Sequence, residues 1–179
     1  MTKKPSEPIL VVDDDQKLLD AMRRSHRKSY DLHVACGAEE GLEALTRAGP
    51  FAVVVSDYQM PGMNGITFLC RVQERAPDTT RIMLTGNADL DAAVSAVNRG
   101  QIFRFLTKPC GDDVFRTSLD AGLEQYRLIQ AERLLLEQTL RGSIQVLADV
   151  LSLANPTAFG RATRVQGYVR HMVERLQLP

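Results

Sequence analysis

Short apolar runs recur along the first part of the chain, and stretches with helical periodicity separate them. The apolar runs are β-branched or aromatic and span residues 9–12, 32–35, 51–55, 81–84 and 101–106. The periodic stretches span residues 16–28, 38–48, 66–75 and 90–98, and a fifth begins near Asp112. This alternation is typical of consecutive strand–helix–strand units. The pattern therefore predicts an α/β domain with five strands.

The predicted strands are apolar at nearly every position, as Ala52 to Val55 illustrate. Continuous apolar runs are typical of a parallel sheet covered on both faces, whereas half-exposed strands alternate apolar and polar residues. Crossovers between parallel strands are right-handed, so successive units can wind into one open sheet. The sequence thus predicts a doubly wound parallel sheet of the (βα)5 type.

The pattern changes after Gly111, where a proline-free stretch rich in Leu, Glu, Gln and Arg runs to Asn155-Pro156. This stretch predicts one long helix or two nearly continuous ones. Heptad spacing selects a mostly apolar seam, which consists of Tyr126, Ile129, Arg133, Leu136, Leu140, Ser143, Leu147 and Val150. The seam fits a coiled coil, and it fits equally a stripe that packs on its own domain. Residues 160–178 then show the pattern of a further amphipathic helix.

Composition narrows the choice of function. The chain has 179 residues, 44% of them hydrophobic, and its 22 basic and 22 acidic side chains cancel. A balanced chain has no overall field that favours nucleic acid or an anionic membrane. The first apolar run is too short for a signal peptide or a membrane span, and the three cysteines lack metal-type spacing. We therefore expect a cytoplasmic protein with reduced thiols and no membrane segment.

Polar side chains stand where the predicted strands end. Asp13 and Asp14 follow the first strand, Asp57 the third, Thr85 the fourth and Lys108 the fifth. Ligands of open parallel sheets bind at the carboxyl ends of the strands, so we expect these side chains to converge. Carboxylates are hard ligands for Mg²⁺, and a carboxylate can also be a nucleophile toward phosphorus. The sequence predicts a magnesium-dependent site for phosphoryl transfer.

Each of these residues also has an ordinary structural interpretation. The acidic run that begins at Asp13 could cap the first helix, and Asp57 could belong to a simple turn. Thr85 could be a strand-end hydroxyl and Lys108 a solvated surface side chain. Their joint placement at the ends of four strands of one sheet is what favours chemistry.

Four segments resemble the receiver domains of two-component response regulators. They are Ile9 to Asp15, Asp57 to Gly65, Met83 to Gly86 and Phe105 to Pro109, in the family's order and at its separations. The resemblance covers roughly residues 7–122. It implies a flavodoxin-like fold with strand order 2-1-3-4-5. It also implies a cis peptide bond between Lys108 and Pro109.

The resemblance assigns roles at the metal-binding end of the site. It makes Asp57 the phosphoacceptor and a Mg²⁺ ligand, beside the acidic pair Asp13 and Asp14. The carbonyl of Gln59 would be a further ligand. The phosphoryl donor would be a sensor histidine kinase or a phosphotransfer protein. The chain would catalyse only its own phosphorylation and dephosphorylation, and is otherwise not expected to be an enzyme.

The resemblance also implies how phosphorylation is read. Thr85 and Lys108 would hold the phosphoryl oxygens, and Thr85 would move toward them. Phe105 would turn inward as an aromatic switch. The change would reach the face formed by the fourth predicted helix, the fifth strand and the fifth helix. Homodimers are expected through that face or through the C-terminal helices.

The sequence divides into three predicted parts: a receiver domain over 1–122, a linker or signalling helix over 123–155, and the start of a helical output module over 156–179. Residues 137–178 resemble the opening helices of an HD-type phosphohydrolase, as in HD-GYP regulators, which suggests a cyclic-di-GMP-related output. Arg161 stands where such modules carry a histidine, so no diesterase activity is expected here. Either the module continues beyond Pro179 in a longer protein, or the output is a degenerate helical module. The arginines form no compact helix-turn-helix pattern, so direct DNA binding is not expected.

Two other functions remain as alternatives. A phosphatase of the haloacid-dehalogenase type also uses an aspartate after its first strand, and that reading makes Asp13 the nucleophile. It leaves the loop after Asp57 unexplained. The second alternative is an interaction scaffold that is never phosphorylated, which the complete set of acidic residues, threonine and lysine disfavours.

Overall fold

The computed structural model describes residues 7–86 and 102–154, together with Gly160, Arg164, Tyr168, His171, Met172 and Arg175. The strands are β1 (Pro8–Asp13), β2 (Asp31–Cys36), β3 (Val53–Asp57), β4 (Thr80–Thr85) and β5 (Arg104–Thr107). The helices are α1 (Gln16–His26), α2 (Ala38–Ala48), α3 (Gly65–Arg75) and a long helix (Asp112–Ala154). The fourth predicted helix, over 90–98, lies outside the described residues.

The strands form one parallel sheet in the order β2-β1-β3-β4-β5, which confirms the predicted flavodoxin-like topology. Strand boundaries differ from the predicted ones by one to three residues: β3 begins at Val53 rather than Phe51, and β5 at Arg104 rather than Gln101. Phe51 is nevertheless fully buried, because the chain enters the core before its ladder begins. The peptide bond between Lys108 and Pro109 is cis, as the resemblance implied.

The sheet has a buried core on each face, which explains the continuous apolar runs. On β1, Ile9 and Val11 face a cluster that includes Leu19 of α1 and Leu119 of the long helix. The alternate residues Leu10 and Val12 face a second cluster, built with Leu42 of α2 and with Phe68, Leu69 and Val72 of α3. Successive side chains of a strand point to opposite faces, so both sets must be apolar.

The long helix passes through two different environments. Contacts divide the chain into two compact units, residues 1–130 and residues 131–179. In the first unit the helix buries Phe115, Leu119 and Leu123 in the core, and Tyr126 packs against the same cluster. In the second unit its large apolar side chains are exposed. Within the described residues, no helix has both the length and the apolarity needed to cross a membrane.

Candidate functional site

The fold brings four of the predicted site residues to one edge of the sheet. Asp13 is the last residue of β1, Asp57 of β3 and Thr85 of β4, and Lys108 directly follows β5. The parallel register aligns these ends, since Asp57 is opposite Leu84 and Thr85 is opposite Thr107. Strands β1 and β3 are direct neighbours, so the first and third strand ends meet.

Three carboxylates cluster at this edge. One oxygen from each of Asp13, Asp14 and Asp57 lies within 4.8 Å of the other two. Asp13 and Asp57 are buried, with 1% and 6% of their surface exposed, whereas Asp14 is exposed. Such a set of hard oxygen donors, open to solvent on one side, fits Mg²⁺, which keeps several waters. Gln59 lies two residues beyond Asp57 in the loop after β3.

Lys108 joins the two buried carboxylates. Its Nζ lies 2.7 Å from Oδ2 of Asp13 and 2.6 Å from Oδ1 of Asp57. Burial lowers the pKa of Lys108, but the hydrogen bonds and charges of the two carboxylates outweigh burial and leave that pKa above its ordinary value. Burial raises the pKa of Asp57, and Lys108 only partly offsets this. The ammonium group therefore stays charged and neutralises part of a buried acidic site.

The acidic run after β1 divides into two kinds of residue. Asp15 is the N-cap of α1, and its side chain accepts hydrogen bonds from the backbone N–H groups of Lys17 and Leu18 at 2.8 and 3.3 Å. Oδ1 of Asp13 accepts from the N–H of Asp15 at 2.9 Å and leaves its other oxygen to Lys108. The capping interpretation thus holds for Asp15, while Asp13 and Asp14 face the site.

The loop that carries Asp57 into α3 depends on close packing at Gly65. A Cβ at Gly65 would lie 2.1 Å from the carbonyl oxygen of Asp57 and 3.0 Å from Cα of Tyr58. The N–H of Gly65 also donates to the carbonyl of Tyr58 at 2.9 Å, and Asn64 caps α3 through the N–H of Thr67. The start of α3 thus lies directly against the backbone of Asp57 at the end of β3.

From the sequence alone, Gly65 is only the last residue of the family-like segment that begins at Asp57. A close approach between Gly65 and the Asp57 backbone depends on tertiary packing, which periodicity does not report. A second support was also missed: the N–H of Gly37, after β2, donates to the carbonyl of Asp13 at 3.0 Å. Both contacts fix backbone at the site without contributing a side chain to it.

Thr85 and Phe105 lie on the neighbouring strands. The Thr85 side chain is buried, and its hydroxyl donates to the carbonyl of Gly86 at 3.1 Å. Phe105 is half-buried and packs against the cluster on the α2 and α3 face of the sheet. It pairs in register with Met83, two residues before Thr85. The two predicted switch residues are therefore on adjacent strands.

Comparisons with known proteins agree with this geometry. A model of the response regulator receiver domain matches residues 9–120. The hydrogenase transcriptional regulatory protein HoxA of Cupriavidus necator is 32% identical over 139 residues, which cover 78% of this chain and 28% of that protein.

Two solved structures show the same likeness. One is described as adenylate cyclase from Rhodopirellula baltica, with a TM-score of 0.72 and 37% identity, covering 74% of this chain and 98% of that chain. The other is the signal receiver domain of an HD domain-containing protein from Pseudomonas fluorescens, with a TM-score of 0.63 and 34% identity, covering 70% and 98%.

The family match includes β2 to β5, all of β1 except Pro8, and all residues of the carboxylate and lysine cluster. The chain spans little more than a quarter of the HoxA regulator, 28% of its length, so that protein's whole activity does not carry over with the match. What the match does establish is the domain that holds the cluster. The chain belongs to the family of response regulator receiver domains.

Proposed function

We propose that this domain accepts a phosphoryl group on Asp57 from a histidine kinase or a phosphotransfer protein, with Mg²⁺ at the adjoining carboxylates. The observation that carries the proposal is the contact of one ammonium group, that of Lys108, with two buried carboxylates of neighbouring strands. A structural ion pair needs one carboxylate. Two carboxylates with a third beside them concentrate charge that a phosphoryl group and a cation together would balance.

The transfer requires that residues of this chain position the reacting atoms and stabilise their charge. An oxygen of Asp57 forms the new bond to phosphorus while the bond from phosphorus to the histidine nitrogen breaks, and the freed histidine takes up a proton from solvent. Phosphoryl transfer depends mainly on positioning and charge stabilisation, which the fixed backbone of Asp57 and the ammonium of Lys108 provide. The Lys108 ammonium would follow the charge from the carboxylate to the phosphoryl oxygens.

The metal ligands would be Asp13, Asp14, Asp57 and the carbonyl of Gln59. Bound there, Mg²⁺ would supply positive charge that offsets carboxylate repulsion and the charge of the phosphoryl oxygens. The exposed position of Asp14 gives a hydrated cation access to the site. Burial of Asp13 and Asp57 strengthens their attraction for a cation, because the local dielectric is low.

The response would begin at Thr85. Its hydroxyl now donates to the carbonyl of Gly86, so turning toward a phosphoryl oxygen requires that this bond be given up. A phosphoryl group brings roughly two negative charges, which make it the stronger acceptor. Half-buried Phe105, on the next strand, would then move inward. The output would be a change on the face that β5 shares with its neighbouring helices.

The exposed part of the long helix supports homodimer formation. Its large apolar residues are each more than half exposed: Leu134, Leu135, Leu136, Leu140, Ile144, Val146, Leu147, Val150, Leu151 and Leu153. The spacing from Leu140 through Ile144 and Leu147 to Leu151 suits pairing with a second helix.

Two classes of output fit this arrangement. HoxA is named as a transcriptional regulator, which favours control of transcription as the output. The other class is the HD-type module suggested by residues 137–178, and the favouring observation is the likeness to a receiver from an HD domain-containing protein. In both cases residues 123–155 would act as the signalling helix and residues 156–179 as the start of the output module.

The phosphoacceptor can be tested by mass spectrometry of the intact chain after incubation with acetyl phosphate and Mg²⁺. We expect the mass of one phosphoryl group to be added, and expect Asp57→Asn or removal of Mg²⁺ with EDTA to prevent it. Asp15→Asn is the matched control, because the Asp15 side chain caps α1 and Asp15 is not one of the predicted site residues. A label that survives Asp57→Asn but not Asp13→Asn would favour the phosphatase interpretation. A wild-type chain that takes no label would favour the scaffold.

The output can be tested by sedimentation velocity with and without beryllofluoride, which mimics the phosphoryl group. We expect dimerisation to strengthen by about 5- to 150-fold, the usual range of coupling between two sites. Replacing Leu140 and Leu147 with Gln should keep the chain monomeric. The control replaces Gln138 and Gln145 with Ser, since these exposed residues have the same spacing on the opposite side of the helix. Equal dimerisation of both variants would contradict a dimer through this face.

A further inference from the structure

Ser56 is a buried polar residue that directly precedes Asp57 in β3. It is 0% exposed and follows three valines of the strand. In the register of the sheet it lies between Val12 of β1 and Met83 of β4, which both belong to the apolar cluster on the α2 and α3 face. Successive side chains of a strand alternate between faces, so Ser56 points into that apolar cluster and Asp57 points to the opposite face.

The hydroxyl of Ser56 has one role that the structure shows directly. It donates a hydrogen bond to the carbonyl oxygen of Asp57 at 2.9 Å. A hydroxyl inside an apolar cluster destabilises the fold unless it is bonded, whereas alanine or valine at the same position would need no partner. Packing therefore does not explain a serine here, and the bond to Asp57 does.

This hydrogen bond holds the peptide unit that joins Asp57 to Tyr58. The carbonyl oxygen of the unit accepts from Ser56, and its N–H donates to the carbonyl of Leu84 on β4 at 2.8 Å. The start of α3 packs on the same carbonyl oxygen, where a Cβ at Gly65 would lie 2.1 Å away. The orientation of this unit is therefore fixed at both of its ends.

The same peptide unit acts on the Asp57 carboxylate. Burial raises the pKa of Asp57, while hydrogen bonds from Lys108 and from the N–H of Tyr58 lower it. The orientation of the unit also sets where the loop after β3, with the carbonyl of Gln59, lies relative to the carboxylate. Phosphoryl transfer depends mainly on the positions of the reacting and charged groups, so a rotation of this unit would slow it.

We propose that Ser56 is a positioning residue for phosphoryl transfer to Asp57. Its hydroxyl holds the peptide after Asp57 in the orientation that aligns the carboxylate with Lys108 and with the Gln59 carbonyl. Ser56 acts through the backbone, because its side chain points to the other face of the sheet. The inference rests on the proposed function, since it concerns the same transfer.

The proposal can be tested by the rate at which acetyl phosphate labels the full chain at a fixed Mg²⁺ concentration, followed by mass spectrometry. Ser56→Ala removes the hydroxyl and should slow labelling by about 2- to 10-fold, the range that corresponds to one neutral hydrogen bond. Ser56→Thr keeps a hydroxyl and should label at close to the wild-type rate. A wild-type rate in Ser56→Ala would overturn the proposal, as would equally slow labelling in Ser56→Thr.

Thr79 provides the matched control. Its hydroxyl is also buried and donates to a backbone carbonyl, that of Phe51, at 2.7 Å. Thr79 directly precedes β4, whereas the site lies at the other end of that strand. Thr79→Val removes a buried hydrogen bond without loss of volume and should leave the labelling rate unchanged. Equal slowing in Thr79→Val and Ser56→Ala, with both shown to be folded by circular dichroism, would indicate a general loss of stability and overturn the proposal.

Amide hydrogen exchange separates this inference from the proposed function. The N–H of Tyr58 should exchange faster in Ser56→Ala than in the wild type or in Thr79→Val, because only Ser56→Ala releases its peptide unit. A wild-type chain that takes no label would contradict the proposed function, and the exchange of Tyr58 would then decide the inference. Faster exchange in Ser56→Ala would support the hold of Ser56 on this peptide, and unchanged exchange would overturn it.

Discussion

The two halves of the long helix differ in what covers them. In residues 112–130 the apolar side chains Phe115, Leu119 and Leu123 are buried against the sheet. In residues 131–154 comparable side chains are exposed, Leu140 and Leu147 to 63% each. Both halves have apolar residues at helical spacing. This spacing shows that one face of a helix is apolar, but it does not show what covers that face.

Polar contacts separate the halves as clearly as burial does. In the first half Asp120 accepts from Tyr30, and Nε and Nη2 of Arg127 lie 2.7 and 3.1 Å from the carboxylate of Glu7. Nε2 of Gln130 donates to Asp78 at 3.0 Å, at the last residue of the first unit. Such contacts fix the rotation of a helix against its domain. The first half therefore belongs to the receiver fold, whereas the large apolar side chains of the second half are exposed.

The largest expected effect comes from truncating one leucine in each half. Leu119→Ala should lower the free energy of unfolding of the receiver by about 2–5 kcal/mol, because it leaves a cavity in a fully buried cluster. Leu140→Ala should change it by less than about 0.5 kcal/mol, since that side chain is exposed. Urea denaturation at a concentration where the chain is monomeric measures both. Similar losses in the two variants would mean that the halves do not differ as described.

Gly122 tests how closely the first half of the long helix packs against the sheet, because it has no side chain of its own to bury. A Cβ there would meet Val53 at 3.2 Å and Ile82 at 3.3 Å, so the helix lies close against the sheet. Gly122→Val adds two further methyl groups and should destabilise the receiver by about 1–3 kcal/mol through overpacking. Thermal unfolding followed by circular dichroism measures the loss. A variant as stable as wild type would show that the helix can move outward at no cost.

Tyr30 tests the hydrogen bond to Asp120, which holds the first half of the long helix against the receiver domain. Burial, assisted by the hydrogen bond to Asp120, raises the pKa of Tyr30 from 10.0 to about 12. Because the folded pKa exceeds the unfolded one, the stability from neutral Tyr30 is complete below pH 10 and is lost as pH rises toward 12. Tyr30→Phe should cost about 1 kcal/mol at neutral pH and flatten this dependence. Unfolding free energies at a series of alkaline pH values would show it, and equal slopes in both proteins would contradict it.

The sequence predicted the sheet well because both of its faces are buried. Runs such as Val53 to Val55 cannot alternate when helices cover each side, so strand positions and order follow from pattern and crossover rules. The residue of the long helix at which the receiver domain ends could not be predicted from the sequence pattern in the same way. Tyr126 belongs to the predicted heptad seam, yet it packs on the receiver core, while Leu140 of the same seam is exposed.

The residues of the site were predictable because chemistry and topology agree at strand ends. Asp13, Asp57 and Lys108 were expected to converge, and Nζ of Lys108 lies 2.7 Å from Oδ2 of Asp13 and 2.6 Å from Oδ1 of Asp57. The backbone supports at Gly37 and Gly65 were not predicted as such. They depend on which loops lie against Asp13 and Asp57, and that information is in the tertiary packing.

The last prediction concerns a small effect in the second half, at Gly142. A Cβ there would meet nothing within 4 Å, in contrast to Gly122. Alanine is favoured over glycine inside a helix by about 0.5–1 kcal/mol, so Gly142→Ala should increase the helicity of residues 131–154 without affecting the receiver. Amide hydrogen exchange across the two halves would show slower exchange around residue 142 and unchanged exchange around Leu119. If exchange slowed equally in both halves, the long helix would respond as one cooperative unit, and the division near Gln130 would not hold in solution.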